Sequence, residues 1–160
     1  MKTKILSDWL TLAANFGVIA GILFLALEIR QSNRIALVTN EVSIRQTYAE
    51  SNRATFTNKE SAELIARAQD SGAKFDATEL EMLSAYVFSQ LNLWAAIEIA
   101  YDNDMLPYET FDDSQDDMRA FIKYYPAMRS LFRNTMVDYP SGKDSEVYRV
   151  IHEAIKEANQ

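Results

Sequence analysis

The chain has 160 residues and no Cys, which fits one domain plus an anchor and excludes disulfides, thiolate metal sites and cysteine nucleophiles. Gly and Pro number only four and three, a composition that disfavours an all-β fold and long flexible linkers. The net charge of −7 is uneven: residues 1–28 sum to zero, 29–57 carry +2 and 58–160 carry −9, so the distal part lacks the basic face that binding to nucleic acid needs.

Residues 9–27 contain no charge. As a helix they span roughly 28 Å, close to the hydrocarbon thickness of a bilayer. Ten of the nineteen are Leu, Ile, Val or Phe, which together favour insertion by about 3 to 6 kcal/mol. Asn15 opposes this only weakly, and Trp9 stands at the end where amphipathic aromatics prefer the interface. The run is longer than the apolar core of a signal peptide, and no small-x-small cleavage site precedes Glu28. It also lacks the polar face of a core helix in a soluble protein. The expectation is therefore an uncleaved transmembrane helix with a bilayer as its partner. Within it Gly17 and Gly21 form a GxxxG pair extended upstream by Ala13. Four-residue spacing puts these small side chains on one face, where two helices can pair as a homo-oligomer. Asn15 lies off that stripe and can hydrogen-bond across the interface.

Lys2 and Lys4 precede the span, whereas Arg30, Arg34 and Arg45 follow it. The positive-inside rule then favours a cytoplasmic C-terminal domain, by a thin margin. Arg30, Gln31 and Arg34 are candidates for contact with lipid phosphates or a neighbouring protomer, with snorkelling as the plain alternative. Nothing breaks the helix between Gly21 and Thr57, so the span is expected to continue into a stalk over residues 29–56. Ile35, Val42, Ala49 and Phe56 recur every seven residues, with Val38 near the same face. Arg45 and Asn52 interrupt it, so the stripe reads as an amphipathic face packing on the domain rather than as a clean coiled coil.

Residues 57–160 read as an acidic helical domain of about five helices. Thr57-Asn-Lys-Glu60 has the pattern of a capping box and opens a short helix with Leu64, Ile65 and Ala68 inward, stopped at Gly72. Asp76-Ala-Thr-Glu79 opens a long helix to about Asp102, whose Leu80, Leu83, Val87, Leu91, Trp94, Ile97 and Tyr101 give the spacing of a buried face. The stretch from Val87 to Tyr101 is apolar on nearly every side, which marks the central helix. Pro107 opens a helix to about Tyr124, with Phe111, Met118, Phe121 and Ile122 as candidate core. Pro126 starts a short helix through Leu131 and Phe132, Tyr139-Pro-Ser-Gly142 reads as a turn, and a last helix from about Ser145 uses Val147, Val150, Ile151 and Ile155. The fold class is all-α.

The juxtamembrane run, through Leu27, Ile29, Arg30, Gln31, Asn33 and Leu37, resembles a family of small uncharacterised bacterial membrane proteins. These have an N-terminal apolar helix followed by a run like L-x-x-Q-I-R-Q-N-T-x-A-L. Glu28 stands where the family usually has Gln, and Ser32 where Asn is common. The resemblance extends to Leu64, to the stretch from Met105-Leu106 to Phe111, and to the C-terminal helix. Ala95 stands where a Glu would follow the aromatic, so no role for that carboxylate carries over. The resemblance implies a bacterial membrane anchor, expected in the inner membrane, with a helical domain, and it supplies no activity to carry over.

Residues that could carry chemistry are few. The lone His152, beside Glu153, excludes two-His metal sites and reads as structural. Eight carboxylates lie between Glu98 and Asp117 with no Lys or Arg among them. Asp102-Asn-Asp104 opens like a calcium loop, but Pro107 replaces the required Gly and Asp113 the final Glu. The stretch is read as a solvated surface that complements the dipole of the following helix, or as a docking face for a basic partner protein. Glu98, in the most apolar helix, is the candidate buried carboxylate; its pKa would rise if it were unpaired, and an Arg partner such as Arg129 or Arg133, or an exposed position, is the safer expectation. No catalytic residue, metal ligand or cofactor site is assigned. The favoured role is a non-enzymatic, membrane-anchored interaction or regulatory module that self-associates. A ligand sensor using Tyr86, Trp94, Tyr101 and Phe111, and a membrane-perturbing effector, are the alternatives.

Overall fold

The computed structural model describes the backbone of residues 2–138 and 144–159, with side chains from residue 9 onward except Ala54 and Phe56. The Tyr139–Gly142 turn lies outside the described residues. All described regular structure is helical: α1 Lys2–Phe56, α2 Lys59–Arg67, α3 Ala77–Asp102, α4 Tyr108–Tyr124, a short 3₁₀ turn Pro126–Met128, α5 Arg129–Asp138 and α6 Glu146–Glu157. The chain separates into two compact units, residues 1–39 and 40–160.

The first unit is the helical run through residue 39, and no other element belongs to it. By length and composition α1 is, from Trp9 on, long and apolar enough to cross a membrane, and residues 9–27 are its charge-free part. Its ten large aliphatic and Phe side chains are each between 53% and 72% exposed.

The second unit holds the core. Helix α3 runs through its middle and packs against α2, α4, α5 and α6, while α4 and α6 pack extensively on each other. Trp94, Leu83, Ile97, Met118, Ile122 and Phe132 are almost fully buried. Leu80 is the exception to the expected stripe, at 41% exposure, and Phe88 and Ile99 leave one side of α3 open to solvent. The apolar sequence from Val87 to Tyr101 thus exceeds what the bundle covers.

Helix starts follow local chemistry. At α3 the Asp76 side chain accepts from Glu79 N while the Glu79 side chain accepts from Asp76 N, a reciprocal capping box. At α2 the cap is one residue later than the Thr57 pattern suggests. Asn58 accepts from Glu60 N, and the Thr57 hydroxyl donates back to Arg53 O, still on α1. Pro107 stands at the N-cap of α4, where it lacks a side-chain acceptor but needs no partner for its own nitrogen. Arg129 ties helix ends together, donating to Ile122 O at 2.9 Å and Ala158 O at 3.2 Å.

The C-terminal part of α1 packs on the bundle through a different face from the one its apolar heptads suggest. Asn40 Nδ2 donates to Met105 O, Ile44 and Tyr48 pack against the core, Ser51 Oγ accepts from Gln90 Nε2 at 3.3 Å, and Thr55 is buried. These residues recur at three and four, so they share one face. Of the stripe expected to pack on the domain, Val42 is exposed and Ala49, also exposed, lines a cleft beside Ile97 and Thr110, so the closely packed face is the other one. The observed face brings Ile44 and the Tyr48 ring onto the core and adds contacts from Asn40 and Ser51 to the turn after α3 and to α3 itself.

Candidate functional site

The membrane-helix residues singled out above all stand on the first unit. Ala13, Asn15, Gly17 and Gly21 are exposed on α1. A Cβ added at Gly17 or Gly21 would meet no atom within 4 Å, so neither glycine is required by packing within the chain. Arg30, Gln31 and Arg34 are exposed on the same helix. Among the described residues, none of these side chains is buried.

Glu98 is only half-buried, and its partner is neither Arg129 nor Arg133. Its Oε1 accepts from Glu146 N at 2.6 Å and its Oε2 from Val147 N at 3.3 Å. These are the first two amides of α6. Ser145, the N-cap of that helix, accepts from Tyr148 N at 3.3 Å. Three of the four amides that a helix start leaves unpaired therefore end on two side chains, and the negative carboxylate meets the positive end of the α6 dipole. Sequence reasoning selected the residue but missed the partner, because backbone amides leave no mark in the sequence. Glu98 joins α3 to α6; its arrangement is that of a structural clamp.

Two other carboxylates of the acidic stretch are engaged within α4. Asp112 accepts from the Tyr108 hydroxyl at 3.2 Å, and Asp116 pairs with Arg119 at 3.0 Å. Asp104 takes a left-handed conformation, with φ of 56°, in the turn after α3. Among the described residues no group of three or more His, Asp or Glu side chains is placed to hold a metal ion.

Where the stalk meets α4, an open cleft of about 400 Å³ is lined by Ile44, Tyr48, Asn52, Ser114, Asp113 and Asp117. The Tyr48 hydroxyl is buried and makes no well-formed hydrogen bond, and neither does the Trp94 indole N–H. Both Trp94 and the Asp117 carboxylate are nevertheless near enough to act on the Tyr48 proton. Burial first, and the Asp117 charge second, push the Tyr48 hydroxyl up to about 12. Burial also raises the Asp117 carboxyl, with Asp113 and Asp116 adding to the rise and Tyr48 opposing it. At neutral pH Tyr48 is thus a neutral donor facing an acidic wall. No described nucleophile and base pair there, so the cleft offers polar contact rather than covalent chemistry. No pattern in the sequence marked Tyr48, because its neighbours at three and four are mostly polar.

A second open cleft, of about 580 Å³, lies between α5 and α6. Met136, Val137 and Ile155 line it beside Arg133, His152 and Lys156. His152 is exposed. Its neighbour Glu153 is engaged by Arg149 at 3.0 Å, and Arg149 also pairs with Glu146. Of the aromatic residues considered for a ligand sensor, Tyr86 lines an open cleft of about 230 Å³ with Thr55, Leu64 and Met82, and the other three make ring contacts. Trp94 stacks on Phe132 with ring centroids 5.9 Å apart, and Tyr101 on Phe111 at 4.4 Å.

Set against known proteins, the chain matches no family, no curated protein and no solved structure.

Proposed function

We propose that this protein is a membrane-anchored, non-enzymatic interaction module. Residues 9–27 cross a bacterial inner membrane once, the acidic helical domain is held on the cytoplasmic side, and copies associate through the membrane helix. The observation that carries the reading is the charge-free run whose ten large apolar side chains are each more than half exposed. In water that surface is costly, at about 25 cal/mol per Å², and a bilayer removes the cost. The sidedness rests on Arg30, Arg34 and Arg45 following the run, and the association on the small side chains of Ala13, Gly17 and Gly21.

Membrane flotation, alkaline carbonate extraction and intact-mass measurement of the extracted chain test the anchor together. The full-length chain should float with lipid, resist carbonate and retain its N-terminal residues. Release by carbonate, or a mass showing cleavage after the apolar run, would overturn the reading. A protease acting on inside-out and right-side-out vesicles reads the sidedness, with digestion of the domain expected only in the former.

A further inference from the structure

The cleft of about 580 Å³ between α5 and α6 inverts the charge of the domain around it. Residues 58–160 carry −9, yet the described lining holds three basic side chains, Arg133, Arg149 and Lys156, and a single acid, Glu153. That acid is already engaged by Arg149 at 3.0 Å, and Arg149 pairs with Glu146 as well. Among the described residues, neither Arg133 nor Lys156 has a carboxylate within ion-pair reach, and both are exposed. The floor of the cleft is apolar: Ile155 is buried, Met136 is half-buried, and Val137 is 70% exposed.

The free charges and the exposed apolar side chains lie at different ends of the groove. Arg129, at the start of α5, donates to Ala158 O at the end of α6. Val137, at the other end of α5, shares the cleft with Tyr148 near the start of α6, so the two helices run antiparallel along it. Arg133 lies one turn from the Arg129 junction on α5, and Lys156 two residues from it on α6. Val137 lies a further turn along α5, about 6 Å of helix beyond Arg133. One end of the groove is thus cationic and the other apolar. We propose that this cleft binds a free long-chain carboxylate, with its head group between Arg133 and Lys156 and its chain along Met136 and Val137. The site belongs to the helical domain alone and goes beyond the membrane-anchored reading above without depending on it.

Charge, apolarity and size together select that occupant. An Arg and a Lys without a protein carboxylate offer charge-assisted hydrogen bonds to an anion, and a neutral or cationic ligand gains nothing from them. Exposed apolar surface costs about 25 cal/mol per Å² in water, and an acyl chain laid on Val137 and Met136 removes that cost. Two helices in contact have axes about 8 to 10 Å apart, so the groove between them takes one chain lengthwise rather than the two of a bilayer phospholipid. The volume falls in the range of about 300 to 1,000 Å³ usual for small-molecule sites. A protein partner takes about 800 Å² from each side, far more than three apolar side chains present.

The probe is dodecanoate with a photoreactive diazirine at the far end of its chain, added to the full-length protein in nanodiscs of zwitterionic phosphatidylcholine. Labelling should saturate and map to Met136 and Val137, and unlabelled dodecanoate should compete where dodecanol and butyrate do not. Arg133→Gln with Lys156→Gln should weaken labelling at least about tenfold, and Val137→Asn about threefold. The charge-matched pair Lys59→Gln with Lys74→Gln should leave it unchanged. All five residues are exposed, so the circular dichroism of each variant should match the parent's. Equal competition by dodecanol and dodecanoate would overturn the anionic head group. Labelling of Met136 and Val137 by a photoreactive phosphatidylglycerol would place a bilayer lipid in the cleft and overturn the free carboxylate. Labelling that does not saturate, or that is unchanged when Arg133 and Lys156 are both replaced, would overturn the site.

Discussion

Removing the Glu98 carboxylate probes the joint between α3 and α6. It accepts from the first two amides of α6, at 2.6 and 3.3 Å, in a half-buried setting. Glu98→Ala deletes an N-terminal cap, worth about 1 kcal/mol. It also leaves two amides only partly reachable by water and removes a charge from the helix dipole, adding about 1 kcal/mol more. The expected loss is about 2 kcal/mol for Glu98→Ala and about 1 kcal/mol for Glu98→Gln, which keeps an acceptor but not the charge. Urea unfolding of the full chain in detergent, followed by the fluorescence of buried Trp94 in a Trp9→Phe background, measures both. The reasoning fails if Glu98→Ala costs less than about 0.5 kcal/mol, the level of an ordinary surface change. It also fails if Gln and Ala are equally damaging, because a shared loss would point to packing rather than to acceptance of the two amides.

Tyr48→Phe should be neutral or stabilising by up to about 1 kcal/mol, because the hydroxyl it deletes is buried without a well-formed hydrogen bond; a clear loss in the same unfolding assay would show that the contact with Asp117 stabilises the fold. Acid should weaken the bundle through Glu79 and Glu146. Arg67 holds the first, and Arg149 the second, below the ordinary Glu value of 4.5. A depressed folded pKa gives stability that is present above the ordinary value and lost as the pH falls through the folded one. Asp117 has the opposite sign: its raised pKa disfavours the folded state once it ionises, and protonation in acid relieves that. Thermal melts between about pH 3 and 7 should therefore show a shallower acid loss for Glu146→Gln and a steeper one for Asp117→Asn. Identical acid limbs for parent and variants would refute the assignment.

Much of this protein was legible in its sequence, because its elements are set by interactions between near neighbours in the chain. The charge-free run, the reciprocal cap of Asp76 and Glu79, the helix stops around Pro107 and Pro126, and the buried stripes of α3, α4 and α6 all follow from spacing and backbone chemistry. Tertiary structure decided which of two faces of one helix turns inward. The sequence offered an apolar stripe at Ile35, Val42 and Ala49, yet the bundle took Asn40, Ile44, Tyr48, Ser51 and Thr55. Spacing ranks the faces of a helix by hydrophobicity, whereas the face that packs is set by what folding brings alongside it: the core against Ile44 and Tyr48, Met105 O and Gln90. Glu98 follows the same logic. Its apolar helix marked it as a carboxylate needing compensation, but the amides that compensate it belong to a helix start brought alongside only by folding.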